Sequence, residues 1–161
     1  MNTSFSIQID IDALPQRVWE VMIDIERWSE WTPSVKQIRR LDKGPIAVGS
    51  RALIRQPRLL PAVWKMKSIE PNRSFSWATG FPGLFSVVGI HSVEARNKGS
   101  HAVLALTFSG ALGGVVARLT KTLNERYLAL EAQGLKRRSE VGLTAAFPFE
   151  GSSSVRGGRG V

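Results

Sequence analysis

The chain has 161 residues, of which 43% are hydrophobic, and it carries a net charge of +9 and no cysteine. These values predict one globular domain with a sizeable core, and they exclude disulfides and thiolate chemistry. No apolar run approaches the roughly 20 residues that a transmembrane helix requires. The N-terminus MNTSFSIQID also lacks the basic and apolar blocks of a signal peptide. We therefore expect a cytoplasmic protein without a membrane span.

The basic residues are spread along the chain instead of forming one stripe. Arg39 and Arg40 lie far from Arg137 and Arg138, and no basic segment reads as a recognition helix or interleaves with aromatic residues. Nucleic acid is therefore not an expected partner. A basic surface that meets an acidic partner, without a small ligand, remains an alternative.

The first segments in chain order are a strand and two helical stretches. Residues 4–11 alternate apolar and polar side chains, as a half-buried strand does. Asp12 is the expected N-cap of a helix whose first turn contains Pro15. Trp28 and Trp31 then lie three residues apart on a further turn, so both require apolar cover or a ligand.

Six more segments with strand character follow, and short turns rich in glycine, proline and asparagine separate most of them. Strands joined in direct succession pair antiparallel. The predicted strands cover residues 36–41, 50–56, 62–69, 75–79, 84–96 and 101–109.

Residues 113–138 predict one long helix. Its apolar stripe is expected to consist of Val116, Leu119, Leu123, Tyr127, Leu130 and Gly134, which recur at steps of three and four. Glu131 falls beside this stripe. The predicted fold class is α+β, with a curved antiparallel sheet of about seven strands gripping the C-terminal helix. We expect this domain to occupy residues 1–140, and we expect residues 141–161, rich in glycine and serine, to form a flexible tail.

Several local motifs accompany this layout. They are VWEVMIDIERWSEWTPSV at 18–35, VGSRALIRQP at 48–57, VW at 63–64, EPNRSFSW at 70–77, GIHSVEA at 89–95, FSGALGG at 108–114 and LKRRSE at 135–140. With these motifs, the sequence resembles the START-like polyketide cyclase/dehydrase and lipid-transport (SRPBCC) superfamily. The resemblance implies a helix-grip fold with a hydrophobic cavity between sheet and helix. Members include carriers, receptors, cyclases and chaperone regulators, so the fold alone does not supply the activity.

His91 is the titratable residue that strand alternation places on the inner face of the sheet. We expect Trp64 and Trp77 as its neighbours, with Gln56 beyond them. A histidine there could act as acid or base on a carbonyl ligand, or it could be a buried neutral side chain bonded to Gln56 or to a backbone carbonyl. No carboxylate is expected within its reach. Only one other histidine is present, so neither a metal nor a cofactor is expected.

Aromatic side chains and a few polar ones complete the predicted ligand site. Small residues at Ala52 and Gly89 favour a void above the sheet, and Tyr127 offers a hydroxyl donor. The predicted ligand-binding residues are Trp28, Trp31, Ile54, Gln56, Trp64, Trp77, Phe85, His91, Leu106, Leu119, Leu123 and Tyr127.

These residues support a protein that binds a small hydrophobic or aromatic molecule, such as a lipid or a polyketide-like compound. The alternative is a cyclase or dehydratase that acts on a polyketide-like substrate, with His91 as its catalytic residue. The protein is expected to be a monomer or a homodimer.

Overall fold

The structure, a computed structural model, describes residues 2–141. One antiparallel sheet has the strand order β1-β7-β6-β5-β4-β3-β2, and this arrangement confirms the predicted α+β class. Helix α1 (Pro15–Ile23) and a 3-10 helix (Ile25–Glu30) connect β1 to β2, and helix α2 (Gly113–Glu140) follows β7. The strands are β1 (Thr3–Ile11), β2 (Gln37–Arg40), β3 (Arg51–Arg55), β4 (Ala62–Glu70), β5 (Ser74–Phe81), β6 (Phe85–Arg96) and β7 (Gly99–Ser109). Except for Val141, the predicted tail lies outside the described residues.

Strands β2 to β7 form a meander in which each strand pairs with the next, and β1 pairs with β7 at the end of the sheet. The β1–β7 register runs from Thr3 opposite Phe108 to Ile11 opposite Ser100. A register shift between Met66 and Ser68 interrupts the β4–β5 pairing, and such bulges bend the bulged strand. Among residues 2–141, no helix has the length and apolar character needed to cross a bilayer.

The start of α1 differs from the sequence prediction. Leu14 occupies the N-cap position, Pro15 begins the helix, and no side chain caps it, so the assignment of Asp12 as N-cap is wrong. The backbone N–H of Asp12 instead donates to Oε1 of Glu140 at 2.8 Å. This bond ties the end of β1 to the last turn of α2.

The buried face of α2 coincides only partly with the predicted apolar stripe. Tyr127 and Gly134 are buried as predicted, but Leu119 is 82% exposed, so its assignment to the inner stripe is wrong. The other buried residues of α2, many of them small or polar, are Gly113, Ala117, Asn124, Leu128, Glu131, Ala132, Leu135 and Ser139. Small side chains allow a helix to lie close to a sheet, and this close packing outweighs the apolar character of the other stripe.

Two apolar clusters hold α2 on the sheet. Ala117 packs with Val87 and Phe108 near its start, and Leu128, Ala132 and Leu135 join the main core near its end. The buried side chains of that core include Met22, Trp28, Phe75 and Leu104. Between the two clusters, α2 spans the concave face of the sheet without filling the space beneath it.

Candidate ligand cavity

A cavity of about 720 Å³ lies between the concave face of the sheet and α2. One end is closed by side chains that are at least nine-tenths buried, among them Trp28, Trp77, His91 and Glu131. The other end opens between exposed lining residues such as Leu60 and Phe81. The cavity therefore has a closed, aromatic end and an open mouth.

Nine of the twelve predicted ligand-binding residues line this cavity, and their role in binding stays a prediction. They are Trp28, Ile54, Gln56, Trp64, Trp77, Phe85, His91, Leu106 and Tyr127.

Three predicted ligand-binding residues lie outside the cavity wall. Leu119 points into solvent, and Leu123 is half-buried beside the wall. Trp31 packs on Trp28 with ring centroids 5.4 Å apart. A Cβ atom at Gly134 would lie 2.2 Å from the backbone oxygen of Trp31, so α2 requires glycine there. The ring of Trp31 therefore belongs to the contact between the 3-10 helix and α2.

Aromatic rings form the closed end. The ring of Trp77 lies 5.3 Å from that of Trp28 and 5.4 Å from that of Trp64. The indole of Trp77 covers Gly89, where a Cβ atom would lie only 2.7 Å from Trp77 Nε1. Ala52 is 3% exposed and belongs to the main core. The predicted void between sheet and helix is present, but neither of these two small residues lines it, because neighbouring side chains cover both.

His91 and Glu131 form a buried pair across the cavity. Nε2 of His91 lies 2.5 Å from Oε1 of Glu131, and the two side chains are 7% and 10% exposed. The expectation that no carboxylate reaches His91, and that Glu131 lies off the inner face, is therefore wrong. The rotation of α2 brings Glu131 inward, four residues after Tyr127.

The contacts of the His91 ring show how the ring is held and which of its nitrogens carries the proton. The ring stacks on Phe75 at 4.6 Å with an interplanar angle of 8°, and it lies 5.0 Å from the ring of Trp28. Its Nδ1 is buried and has no hydrogen-bond partner within residues 2–141. We assign the Nε2–H tautomer, because Nε2 then donates to the Glu131 carboxylate. Glu131 also lines the cavity, and no described residue donates to its Oε2.

The expected neighbours of His91 are only partly present. The ring of Trp77 lies 6.0 Å away, whereas Trp64 packs against Trp77 instead of against His91. The ring of Phe75 is closer than either, because Phe75 is the cross-strand partner of His91 on β5. The sequence also allowed a bond from His91 to Gln56, but His91 bonds to Glu131 instead.

Polar side chains of α2 line the cavity between the closed end and the mouth. Thr120 Oγ1 donates to the backbone oxygen of Val116 at 2.7 Å, and Asn124 Nδ2 donates to Thr120 Oγ1 at 2.8 Å. Asn124 is buried, and both side chains line the cavity. Sequence reasoning missed Thr120, Asn124 and Glu131. Their spacing of four and seven residues places them on one face of a helix, and this spacing was the signal available in the sequence.

Tyr127 links α2 to the loop after β3. Its hydroxyl donates to the backbone oxygen of Pro57, so in this structure the donor predicted for a ligand oxygen is already engaged. Burial raises the pKa of Tyr127, and the nearby charges of Arg58 and Arg126 partly oppose this rise. The bond holds α2 to the β3–β4 loop, which carries Leu60 at the mouth.

The architecture around this cavity is that of a helix-grip protein, in which a curved sheet encloses a long C-terminal helix. The chain belongs to the polyketide cyclase / dehydrase and lipid transport family, whose model matches residues 2–140. The comparison with curated proteins found no match.

Solved structures share the fold at low sequence identity. The Zhui aromatase/cyclase from Streptomyces sp. R1128 has a TM-score of 0.73 and 13% identity, covering 91% of this chain and 98% of its own. The protein TTHA0849 from Thermus thermophilus has a TM-score of 0.69 and 16% identity, covering 90% of this chain and 100% of its own. Ara h 8.0201 has a TM-score of 0.61 and 14% identity, covering 84% of this chain and 98% of its own. At these identities the similarity establishes the fold only.

Proposed function

We propose that this protein binds a small, mainly apolar molecule of aromatic or lipid character in the cavity between the sheet and α2. The observation that carries the proposal is the cavity of about 720 Å³ with an aromatic closed end. Small-ligand sites in proteins commonly have volumes of roughly 300–1,000 Å³, apolar walls and a few polar groups that orient the ligand.

The polar side chains of the cavity wall indicate where a ligand would have its own polar atoms. Glu131 Oε2 is an acceptor at the closed end, and Asn124 and Thr120 lie on the adjoining turns of α2. Because Glu131 lines the cavity and no residue within 2–141 donates to its Oε2, a ligand hydroxyl would donate to this oxygen in place of water. The proposed ligand is therefore an apolar body with at least one hydroxyl group at its buried end.

The test is titration with the neutral fluorescent probe N-phenyl-1-naphthylamine. Thr120 lines the cavity, so the indole in Thr120→Trp should occupy the probe's space and abolish most of the binding. Leu119→Trp is the matched control, because the adjacent Leu119 is 82% exposed and points away from the cavity. Both variants place the same residue in the same helix, so they should have similar helical stability.

Probe binding by Leu119→Trp but not by Thr120→Trp would support the cavity as the binding site. Equal binding by the two variants would contradict it. Native mass spectrometry of the purified wild type would then identify any co-purifying molecule.

The second candidate is a cyclase or dehydratase that acts on a polyketide-like substrate, and the His91–Glu131 pair is the observation that favours it. Burying such a pair costs desolvation free energy, and functional sites often retain costly groups of this kind. Glu131 Oε2 would remove a proton from the carbon beside a substrate carbonyl and return it to the departing hydroxyl, which leaves as water. His91 would orient the carboxylate through Nε2–H.

This second candidate is tested with a β-hydroxyketone substrate and the variants His91→Ala and Glu131→Gln. Loss of dehydration, with probe binding retained, would support the catalytic assignment. Unchanged turnover in either variant would exclude the residue concerned from the reaction.

The remaining parts of the proposal concern the setting of the protein. We propose a cytoplasmic protein that acts as a monomer or homodimer and does not use nucleic acid as its partner. The distribution of basic residues supports the last of these points, because they are dispersed over the sheet and helices instead of lining one groove for nucleic acid.

A further inference from the structure

Exposed apolar side chains gather around the open end of the cavity. Twelve large apolar residues are exposed within residues 2–141, and seven of them belong to the segments that surround the mouth. Large exposed apolar patches are uncommon on monomers and mark contact surfaces. We name these seven residues the mouth patch: Leu60, Val63, Phe81, Leu84, Leu112, Val115 and Leu119.

Three chain segments carry the mouth patch, and the structure connects them. Leu60, Val63 and Phe81 line the cavity directly. The backbone N–H of Leu112 donates to the oxygen of Leu84 at 3.0 Å, so the start of α2 lies against the β5–β6 turn. Leu112 directly precedes α2 as its N-cap residue, and the four-residue spacing of Val115 and Leu119 places both on one face of the helix. Val116 and Thr120, on the adjoining face, line the cavity.

The net charge around the mouth is positive. Residues 56–63, 79–85 and 110–120 contain two arginines, Arg58 and Arg118, and no aspartate or glutamate. Arg126 follows on α2, next to Tyr127, whose hydroxyl contacts the loop that contains Arg58. Glu125 lies beside Arg126, but its carboxylate is paired with Lys121. Within residues 2–141, none of these three arginines forms a salt bridge. Their positive charges are therefore available to an anionic partner.

We propose that the mouth patch docks on the surface of a bilayer that contains anionic phospholipids. Apolar side chains enter the boundary of the acyl chains while the surrounding arginines contact lipid phosphates, and the two contributions add. A second copy of the chain fits less well, because pairing two such rims would bring arginines of like charge together. Docking does not require the proposed ligand. Only its purpose, transfer of an apolar molecule between bilayer and cavity, rests on the proposed function.

The test is co-flotation of the full chain with two kinds of vesicle, one of phosphatidylcholine alone and one of equal parts phosphatidylcholine and phosphatidylglycerol. The wild type should float with the anionic vesicles, and added sodium chloride should weaken this binding. Leu60→Asp and Leu119→Asp should each weaken binding by about tenfold, because each places a carboxylate where an apolar side chain inserts. Arg58→Gln should weaken it by about fivefold.

The matched controls lie away from the mouth. Val48 is 64% exposed in the β2–β3 connection, and Arg137 is exposed in the last turn of α2, at the opposite end of the helix from Val115 and Leu119. Val48→Asp and Arg137→Gln should bind anionic vesicles as the wild type does. Circular dichroism of every variant would establish that the fold is retained.

Three outcomes would overturn docking at the mouth patch. They are a wild type that does not float with anionic vesicles, mouth variants that float as well as the wild type, and controls that lose as much binding as the mouth variants. A wild-type dimer that Leu119→Asp dissociates would also overturn it, because a second copy would then cover the patch. Probe binding without vesicles is measured separately, so failure of docking and failure of the cavity proposal are distinguishable.

Discussion

His91 Nε2 lies 2.5 Å from Oε1 of Glu131, and this contact joins β6 to α2 across the closed end of the cavity. It connects two residues that are 40 positions apart in the sequence. Because the two side chains are only 7% and 10% exposed, solvent competes little with their hydrogen bond.

The first prediction concerns the energy of this pair. A double-mutant cycle with His91→Gln and Glu131→Gln should give a coupling free energy of about 1.5–3 kcal/mol, as expected for a buried hydrogen bond to a charged group. Denaturant unfolding measures it. The exposed pair of Lys121 and Glu125 provides the comparison, and a cycle there should give about 0.3–0.5 kcal/mol. Equal coupling in the two cycles would show that His91 and Glu131 are not bonded in solution.

The second prediction concerns the close approach of Trp77 to Gly89. Gly89→Ala should lower the free energy of unfolding by about 1–3 kcal/mol, because its Cβ would overlap the Trp77 indole. Gly114→Ala is the control. Gly114 lies in the first turn of α2 with no atom closer than 4.0 Å to the added Cβ, so alanine should be neutral or stabilising. Thermal unfolding distinguishes the two, and a stable Gly89→Ala would mean that Trp77 lies elsewhere.

The third prediction concerns the bond from Tyr127 to Pro57. Tyr127→Phe removes the hydroxyl that donates to the Pro57 oxygen, so the loop after β3 should open more often. We expect the backbone amides of Arg58, Leu59 and Leu60 to exchange hydrogen faster, while the free energy of unfolding falls by about 0.5–1.5 kcal/mol. Hydrogen exchange measured by mass spectrometry reports the local opening of the loop from these amides and global unfolding from the amides of the core. Unchanged exchange in this loop would contradict the contact.

The fourth prediction concerns acid stability. Burial acts to raise the pKa of Glu140, but hydrogen bonds from Lys136 and from the Asp12 backbone N–H outweigh it and lower this pKa below its usual 4.5. Since the folded pKa is the lower one, the stabilisation is present above pH 4.5 and is lost as the pH falls through the folded value.

The measurement for Glu140 is the free energy of unfolding as a function of pH. Glu140→Gln should flatten its decline below pH 4.5. Lys136→Met should also flatten it, because Lys136 Nζ lies 2.6 Å from Glu140 Oε1 and is one of the groups that lower the pKa. A decline as steep as that of the wild type in both variants would show that Glu140 does not couple folding to protons.

Much of the inner sheet surface followed from strand periodicity. Alternation along β5 and β6 correctly placed Phe75, Trp77 and His91 on one face, because successive side chains in a strand point to opposite sides. A single buried face therefore fixes the orientation of every residue in the strand.

The orientation of α2 could not be read from the sequence in the same way. Two stripes overlap on this helix, one more apolar, with Leu119 and Leu123, and one containing Ala117, Asn124 and Glu131. Apolar character favours the first stripe, yet the second faces the sheet. Asn124 is accepted there because Thr120, one turn earlier on the same helix, accepts its hydrogen bond. Glu131 is accepted because His91 bonds to its Oε1, and this partner on β6 is known only once the helix has packed on the sheet.

The sequence by itself determined the elements, their order and the fold class, because local periodicity and turn residues depend on neighbours in the chain. The tertiary structure alone decided that Glu131 meets His91, that Trp77 covers Gly89, and that Leu119 stays exposed beside the cavity mouth. These three outcomes depend on how close α2 lies to the sheet and how it is rotated about its axis. Packing between segments distant in sequence sets both.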